Sequence, residues 1–167
     1  MNIDSITLAA VTGGAAQGPV ALFSGVALDS RKAAPGDLFV AIRGPNHDGH
    51  DFLAEALKNA AGALVQRSVP AGSVPKDRTL NRVPDTLAAL RSIARYVRES
   101  LRMKVVGITG SVGKTTTKEM AATLLAQKYR VAKTTGNLNN TIGLPAELAR
   151  MPESTDCAVL EMGMSTP

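Results

Sequence analysis

Val105-Val106-Gly107-Ile108-Thr109-Gly110-Ser111-Val112-Gly113-Lys114-Thr115-Thr116-Thr117 joins an apolar, β-branched run to a glycine-rich turn ending in Gly-Lys-Thr-Thr. Small residues let consecutive backbone N–H groups converge on phosphate oxygens, a lysine ammonium reaches the outer phosphates, and the next hydroxyl is placed for Mg²⁺. This assigns Gly110, Ser111, Val112, Gly113, Lys114, Thr115 and Thr116 to nucleotide binding, with Thr115 as a metal ligand. Lys118 to Tyr129 alternates polar and apolar residues at helical spacing. The turn therefore opens a helix whose positive end also faces the anion. A strict G-x-x-x-x-G-K-[ST] loop has glycine where this chain has Ile108.

Downstream, Arg130 to Thr134 and Asp156 to Met162 read as strands. Alternation with helices predicts a parallel sheet with crossover connections. Glu161 falls at the carboxyl end of the last strand, where ligands gather in open α/β sheets, and an acid there is a second Mg²⁺ ligand beside Thr115. Thr134 to Pro145 concentrates amides and glycines and has two readings: a polar loop with an Asx-type turn, or, next to a phosphate loop, carboxamides that hydrogen-bond a nucleotide or metal-bound water.

Upstream, the chain reads as a small α/β unit. Thr7 to Thr12 is a short helix ended by Gly13-Gly14, and Phe23 to Leu28 and Asp37 to Ile42 are β segments separated by Ala33-Ala34-Pro35-Gly36. After the polar loop Gly44 to His50, Asp51 is the expected cap of a helix from Phe52 to Ala61, which Gly62 ends before the strand Ala63-Leu64-Val65. Pro70 to Pro84 shifts to Pro, Gly, Ser and charge and reads as a surface connection, which sets a boundary near Arg82. Asp85 or Thr86 caps the next helix, with Leu87, Leu90, Ala94, Val97 and Leu101 on one apolar stripe. The fold class is thus α/β: a small N-terminal domain (1–82), then the start of a P-loop parallel-sheet domain (83–167). That second sheet is short for a doubly wound domain, so the chain is expected to be a fragment or truncated product.

The sequence has 167 residues, one cysteine and a formal charge of +5. One cysteine permits no internal disulfide, and Cys157 lies in an apolar strand. No apolar run reaches the length of a membrane span and the N-terminus lacks the pattern of a secretory signal, so the cytoplasm is the expected compartment. The basic charge raises the question of nucleic acid, and Arg91, Arg95, Arg98 and Arg102 fall within roughly 60° on a helical projection. Aromatics are scarce and no stacking or helix-turn-helix motif accompanies the stripe, which reads as a solvated flank. His47, His50, Asp48 and Asp51 are too close together in a loop to define a zinc site.

Thr109 to Thr116 resembles the ATP loop of the Mur ligases, whose version also departs from the strict pattern. Leu28-Asp29-Ser30-Arg31, Pro35 to Ala41 and Asp48-Gly49-His50-Asp51-Phe52 resemble the uridine-binding domain of the branch that adds the third and later peptide residues. The run Gly136-Asn137-Leu138-Asn139-Asn140 to Gly143-Leu144-Pro145, with Leu160-Glu161-Met162-Gly163, points within that branch to a ligase acting on UDP-N-acetylmuramoyl-tripeptide and D-alanyl-D-alanine. The resemblance implies ATP and Mg²⁺, an acyl phosphate formed on the tripeptide carboxylate, and a monomer without nucleic-acid or membrane partners. It makes Lys114 the catalytic residue, offsetting charge on the transferring phosphoryl group, and places Asn137 near the ATP phosphates and Leu28, Ser30, Asn46 and His47 against uridine. The family's modified lysine, adenine contacts and amine-accepting domain are expected beyond Pro167, so this chain alone is not expected to catalyse ligation. Two other readings stand beside this one: the related ligase that adds the third residue, and a non-catalytic nucleotide-binding module.

Overall fold

Strand and helix alternate through the chain in a computed structural model that describes residues 1–70, 72–136 and 139–163. Two compact units result, Met1–Ile93 and Ala94–Pro167.

In the first unit, Asp4 accepts hydrogen bonds from the Ile6 and Thr7 N–H groups and starts α1 (Ser5–Thr12). Gly13, at a left-handed φ of 66°, ends it. A two-stranded pair is formed by β1 (Ile3–Asp4) and β3 (Leu22–Phe23). The main sheet contains β2 (Ala15–Gln17), β4 (Gly25–Ala27), β5 (Asp37–Val40), β6 (Gly62–Val65) and β7 (Thr79–Arg82), in the order β2-β7-β6-β5-β4. All its pairs are parallel except β2 with β7. Burial of all four β6 residues fits a strand covered on both faces. Phe39, Ala63, Val65 and Leu80 pack with Leu53, Ala56, Leu57 and Ala60 in one apolar cluster. A large apolar side chain buried this way contributes about 1.5–3 kcal/mol.

Two expectations change here. The predicted helix from Phe52 to Ala61 is a 3-10 turn, Gly49–Phe52, followed by only the short α2 (Leu53–Ala56). Asp48, not Asp51, is the cap, because its carboxylate accepts the His50 N–H two residues on. Gly62 belongs to β6, where an added Cβ would stand 2.3 Å from the Thr79 carbonyl oxygen. The second change is β7, which lies inside the segment read as a surface connection. Thr79 and Asn81 are polar but fully buried, and the Thr79 hydroxyl donates to the Pro19 carbonyl.

Asp85 accepts the Leu87 and Ala88 N–H groups at the start of α3 (Thr86–Ser100). Leu90, Ala94 and Val97 on its apolar stripe are buried. Arg91, Arg95 and Arg98 are exposed, Arg95 pairing with Glu99 at 2.8 Å. Arg102 falls past the helix end at a φ of 49° and leaves the stripe.

The second unit contains β8 (Lys104–Ile108), α4 (Lys114–Leu125), β9 (Val131–Lys133), α5 (Gly143–Ala149) and β10 (Cys157–Glu161). The strands are parallel in the order β8-β10-β9, so the last strand is central and buried along its length. Met103, Met151, Ala158 and Leu160 form its core. Helix α4 begins at Lys114, not Lys118, because Gly113 is the last non-helical residue. The region from Thr134 to Pro145 holds the expected Asx turn, with Asn140 accepting the Ile142 and Gly143 N–H groups, but it then runs directly into α5. Among the described residues, no helix is long and apolar enough to cross a membrane.

Candidate nucleotide-binding site

The site in the second unit starts from the turn between β8 and α4. Gly110 and Gly113 have φ values of 149° and 79°, a region where a side chain is strained, so glycine is required at both. Gly113 is the N-cap and no side chain bonds the first turn of α4. The N–H groups there remain available to an anion, in line with the helix dipole. Ser111, Val112, Thr115 and Thr116 are exposed, and Val112 stands at the tip of the turn. Lys114 is the first helical residue, and its ammonium folds back to donate to the Gly110 carbonyl at 2.6 Å.

The parallel sheet brings Glu161 to the same place. The Thr115 hydroxyl donates to Glu161 Oε2 at 2.9 Å, and the Asn139 amide donates to Oε1 at 3.1 Å. Thr134, just past β9, accepts the Glu161 N–H on its hydroxyl at 2.9 Å. The Thr115 hydrogen bond holds the Glu161 carboxyl below its ordinary value, helped by Asn139 and the Lys118 and Lys114 ammonium groups, against the opposing effect of burial. The carboxylate is therefore anionic at neutral pH. A hydroxyl and a carboxylate at hydrogen-bond separation are hard oxygen donors of the kind that Mg²⁺ takes, the remaining positions being filled by water or phosphate oxygens.

Thr134 and Lys118 carry no signal in the sequence as site residues. The signal for Asn139 lay in the amide-rich run itself, but spacing alone does not tell which asparagine turns inward. Asn137 lies outside the described residues.

In the first unit, Leu28 and Ser30 follow β4, while Asn46 and His47 follow β5. These strands are parallel neighbours, so both segments leave the carboxyl edge of the sheet. Ser30 is buried and donates to Glu55 at 2.5 Å; Asn46 and His47 are exposed on a turn closed by the Gly44 N–H to the His47 carbonyl at 2.8 Å. His50 is structural. Its Nε2 accepts the Gln66 N–H at 3.0 Å, so Nδ1 carries the proton shared with Asp48 at 2.5 Å. Burial works to raise the Asp48 carboxyl, but the His50 N–H, the His50 ring and Arg67 together hold it below its ordinary value. The described residues contain no cluster suited to a metal ion bound by His, Cys, Asp and Glu alone.

Two family models match the chain: "Mur ligase family, catalytic domain" over residues 22–98 and "Mur ligase middle domain" over residues 108–167. The UDP-N-acetylmuramoyl-tripeptide--D-alanyl-D-alanine ligase of Bacillus subtilis is 47% identical over 142 residues, 84% of this chain and 31% of that protein. The Escherichia coli enzyme of the same name is 42% identical over 95% of this chain and 35% of its own length. The chain thus spans about a third of the length of the curated relatives it matches. Among solved structures, MurF from Acinetobacter baumannii superposes with a TM-score of 0.89 at 34% identity, over 100% of this chain and 36% of that one. MurF ligase from Thermotoga maritima, solved in complex with ADP, superposes with a TM-score of 0.74 at 39% identity, over 86% of this chain and 33% of that one. With two models of one family matching successive segments, and with relatives and solved structures of that family along nearly its whole length, this chain belongs to the Mur ligase family.

Proposed function

We propose that this chain carries the uridine-substrate-binding and ATP-phosphate-binding parts of a ligase that joins D-alanyl-D-alanine to UDP-N-acetylmuramoyl-tripeptide. Residues 1–82 form the first part and 83–167 open the second. One observation carries the reading: an uncapped, glycine-initiated helix presents Lys114 and Thr115 beside a buried carboxylate, Glu161. The names of the relatives supply the choice of peptide substrate and amine.

When bound, Mg-ATP supplies the phosphoryl group that activates the tripeptide carboxylate as an acyl phosphate. The chain's own residues bind and orient. The loop amides from Gly110 to Thr116 cradle the phosphates, and the Lys114 ammonium exchanges the Gly110 carbonyl for phosphate oxygen, where it offsets charge during transfer. Thr115 and Glu161 would hold Mg²⁺, and the family resemblance assigns Asn137 to nucleotide binding. Leu28, Ser30, Asn46 and His47 anchor the uridine end of the substrate at the carboxyl edge of the first sheet. This reading makes the protein a cytoplasmic monomer.

Amide NMR of the chain tests both halves. UDP-N-acetylmuramoyl-tripeptide is expected to shift signals between Leu28 and His47, and Mg-ATP those between Gly110 and Thr117. A folded sample in which neither ligand moves its own segment contradicts the assignment.

A further inference from the structure

Lys118 lies one helical turn beyond Lys114 on α4, but its ammonium goes elsewhere. It is 3% exposed, and its Nζ donates to the Thr134 carbonyl at 2.9 Å. Lysine is almost never this buried without a paired charge. Here Glu161 Oε2 stands 3.8 Å away, and Oε1 of the half-buried Glu119 3.4 Å away. Thr134 closes the circuit, its carbonyl accepting from Lys118 and its hydroxyl from the Glu161 N–H. One ammonium thus ties the helix that carries Thr115 to the strand ends that carry Thr134 and Glu161.

We propose that Lys118 is a positioning residue for the divalent cation that accompanies the nucleotide. It fixes the Glu161 carboxylate and the first turn of α4 at the spacing the cation needs, without touching the nucleotide. The inference rests on the reading of the Gly110 to Thr116 loop as a nucleotide site.

The distances favour this role. At 3.8 Å the ammonium lies beyond hydrogen-bond reach of Oε2 and leaves that oxygen to the Thr115 hydroxyl and an incoming cation. Asn139 holds the other oxygen, so the carboxylate cannot swing away. A lysine serving only the fold would affect nucleotide binding equally with and without the cation. A positioning lysine acts on the cation-dependent part.

The test is the affinity for ADP of the unsubstituted chain and of Lys118→Met, each by calorimetry with Mg²⁺ and with a chelator. The ratio of the two affinities is expected to fall by roughly tenfold in Lys118→Met, the range seen when groups that orient a metal ligand are removed. An unchanged ratio in folded Lys118→Met overturns the proposal. Because methionine removes the ammonium 3.8 Å from Glu161 and endangers folding, a second measurement uses the unsubstituted chain. Side-chain ¹⁵N NMR is expected to show an exchange-protected Lys118 Nζ signal that shifts when Mg²⁺ is added to the ADP-bound protein; a signal indifferent to Mg²⁺ overturns the proposal. No ADP binding by the unsubstituted chain, with or without Mg²⁺, removes the nucleotide reading itself, whereas ADP binding that Mg²⁺ does not strengthen overturns the inference alone. Enhanced binding that Lys118→Met leaves intact removes the inference alone.

Discussion

At the scale of single residues, the chemistry depends on which polar side chains are committed to the fold and which are free for a ligand. His47 and His50 show the contrast, three positions apart in one loop. His47 is exposed, whereas His50 is buried with both ring nitrogens engaged. His50→Ala is expected to lower stability by about 1–3 kcal/mol, since a buried ring is lost and the half-buried Gln66 N–H loses its acceptor. His47→Ala is expected to leave stability within about 0.5 kcal/mol while weakening UDP-substrate binding. Chemical denaturation of both variants checks the pair. Glu161 gives a pH dependence with a definite sign. The Thr115 hydrogen bond first, then Asn139 and the lysines, places its folded pKa below the ordinary 4.5. Its contribution to stability is therefore complete above that ordinary value and is lost as pH falls through the lower folded value. Denaturation curves of the unsubstituted chain and Glu161→Gln are expected to differ at neutral pH and converge in acid; a gap that widens in acid contradicts the assignment. The residues that meet between the turn after β8 and the end of β10 were legible as a group, because Gly, Lys, Thr and a strand-end Glu each have a reason to be there. Lys118 was not, since a lysine inside a helical pattern reads as solvent-facing until the sheet beneath it is seen.

Among the elements, those with strong periodicity or strong caps were legible. Helix α3 shows both, with an apolar stripe and Asp85 at its head, and Asp85→Ala is expected to cost about 1 kcal/mol of stability by thermal or chemical unfolding. The central strand β10 announced itself as an unbroken apolar run, as strands covered on both faces do. Strand β7 did not, because Thr79 and Asn81 interrupt its apolar pattern and prolines flank it, yet it sits between β2 and β6. Helix α5 was hidden by Gly143 and Pro145, residues that read as turn formers but occupy the helix's first turn, where a missing N–H does no harm. Gly62, read as a helix stop, is a packing glycine within β6. Gly62→Ala would drive a Cβ against the Thr79 carbonyl oxygen and close to the Phe23 ring, and is expected to destabilise by about 1–3 kcal/mol. A fully stable Gly62→Ala chain would mean that β6 and β7 are not packed as described.

For the whole molecule, two units, one with a mostly parallel and one with a parallel sheet, each present loops at the carboxyl edge of their parallel strands, which is where α/β proteins place ligands. The alternation of strands and helices and the family were legible from the sequence, since both follow from patterns repeated over many residues. The net charge of +5 was the weaker guide: its most visible cluster, on α3, is an exposed flank partly occupied by the Arg95–Glu99 pair. Sheet order was not legible, because no local signal tells that β10, last in the chain, inserts between β8 and β9 and so delivers Glu161 to Thr115. That delivery underlies the proposal of a magnesium-nucleotide site on this chain. Calorimetric titration with Mg-ATP, comparing the unsubstituted chain with Lys114→Ala, tests it most directly. Saturable binding is expected, weakened by roughly tenfold or more in Lys114→Ala through loss of a charge-assisted contact to phosphate; equal binding by the two chains would contradict a phosphate role for Lys114.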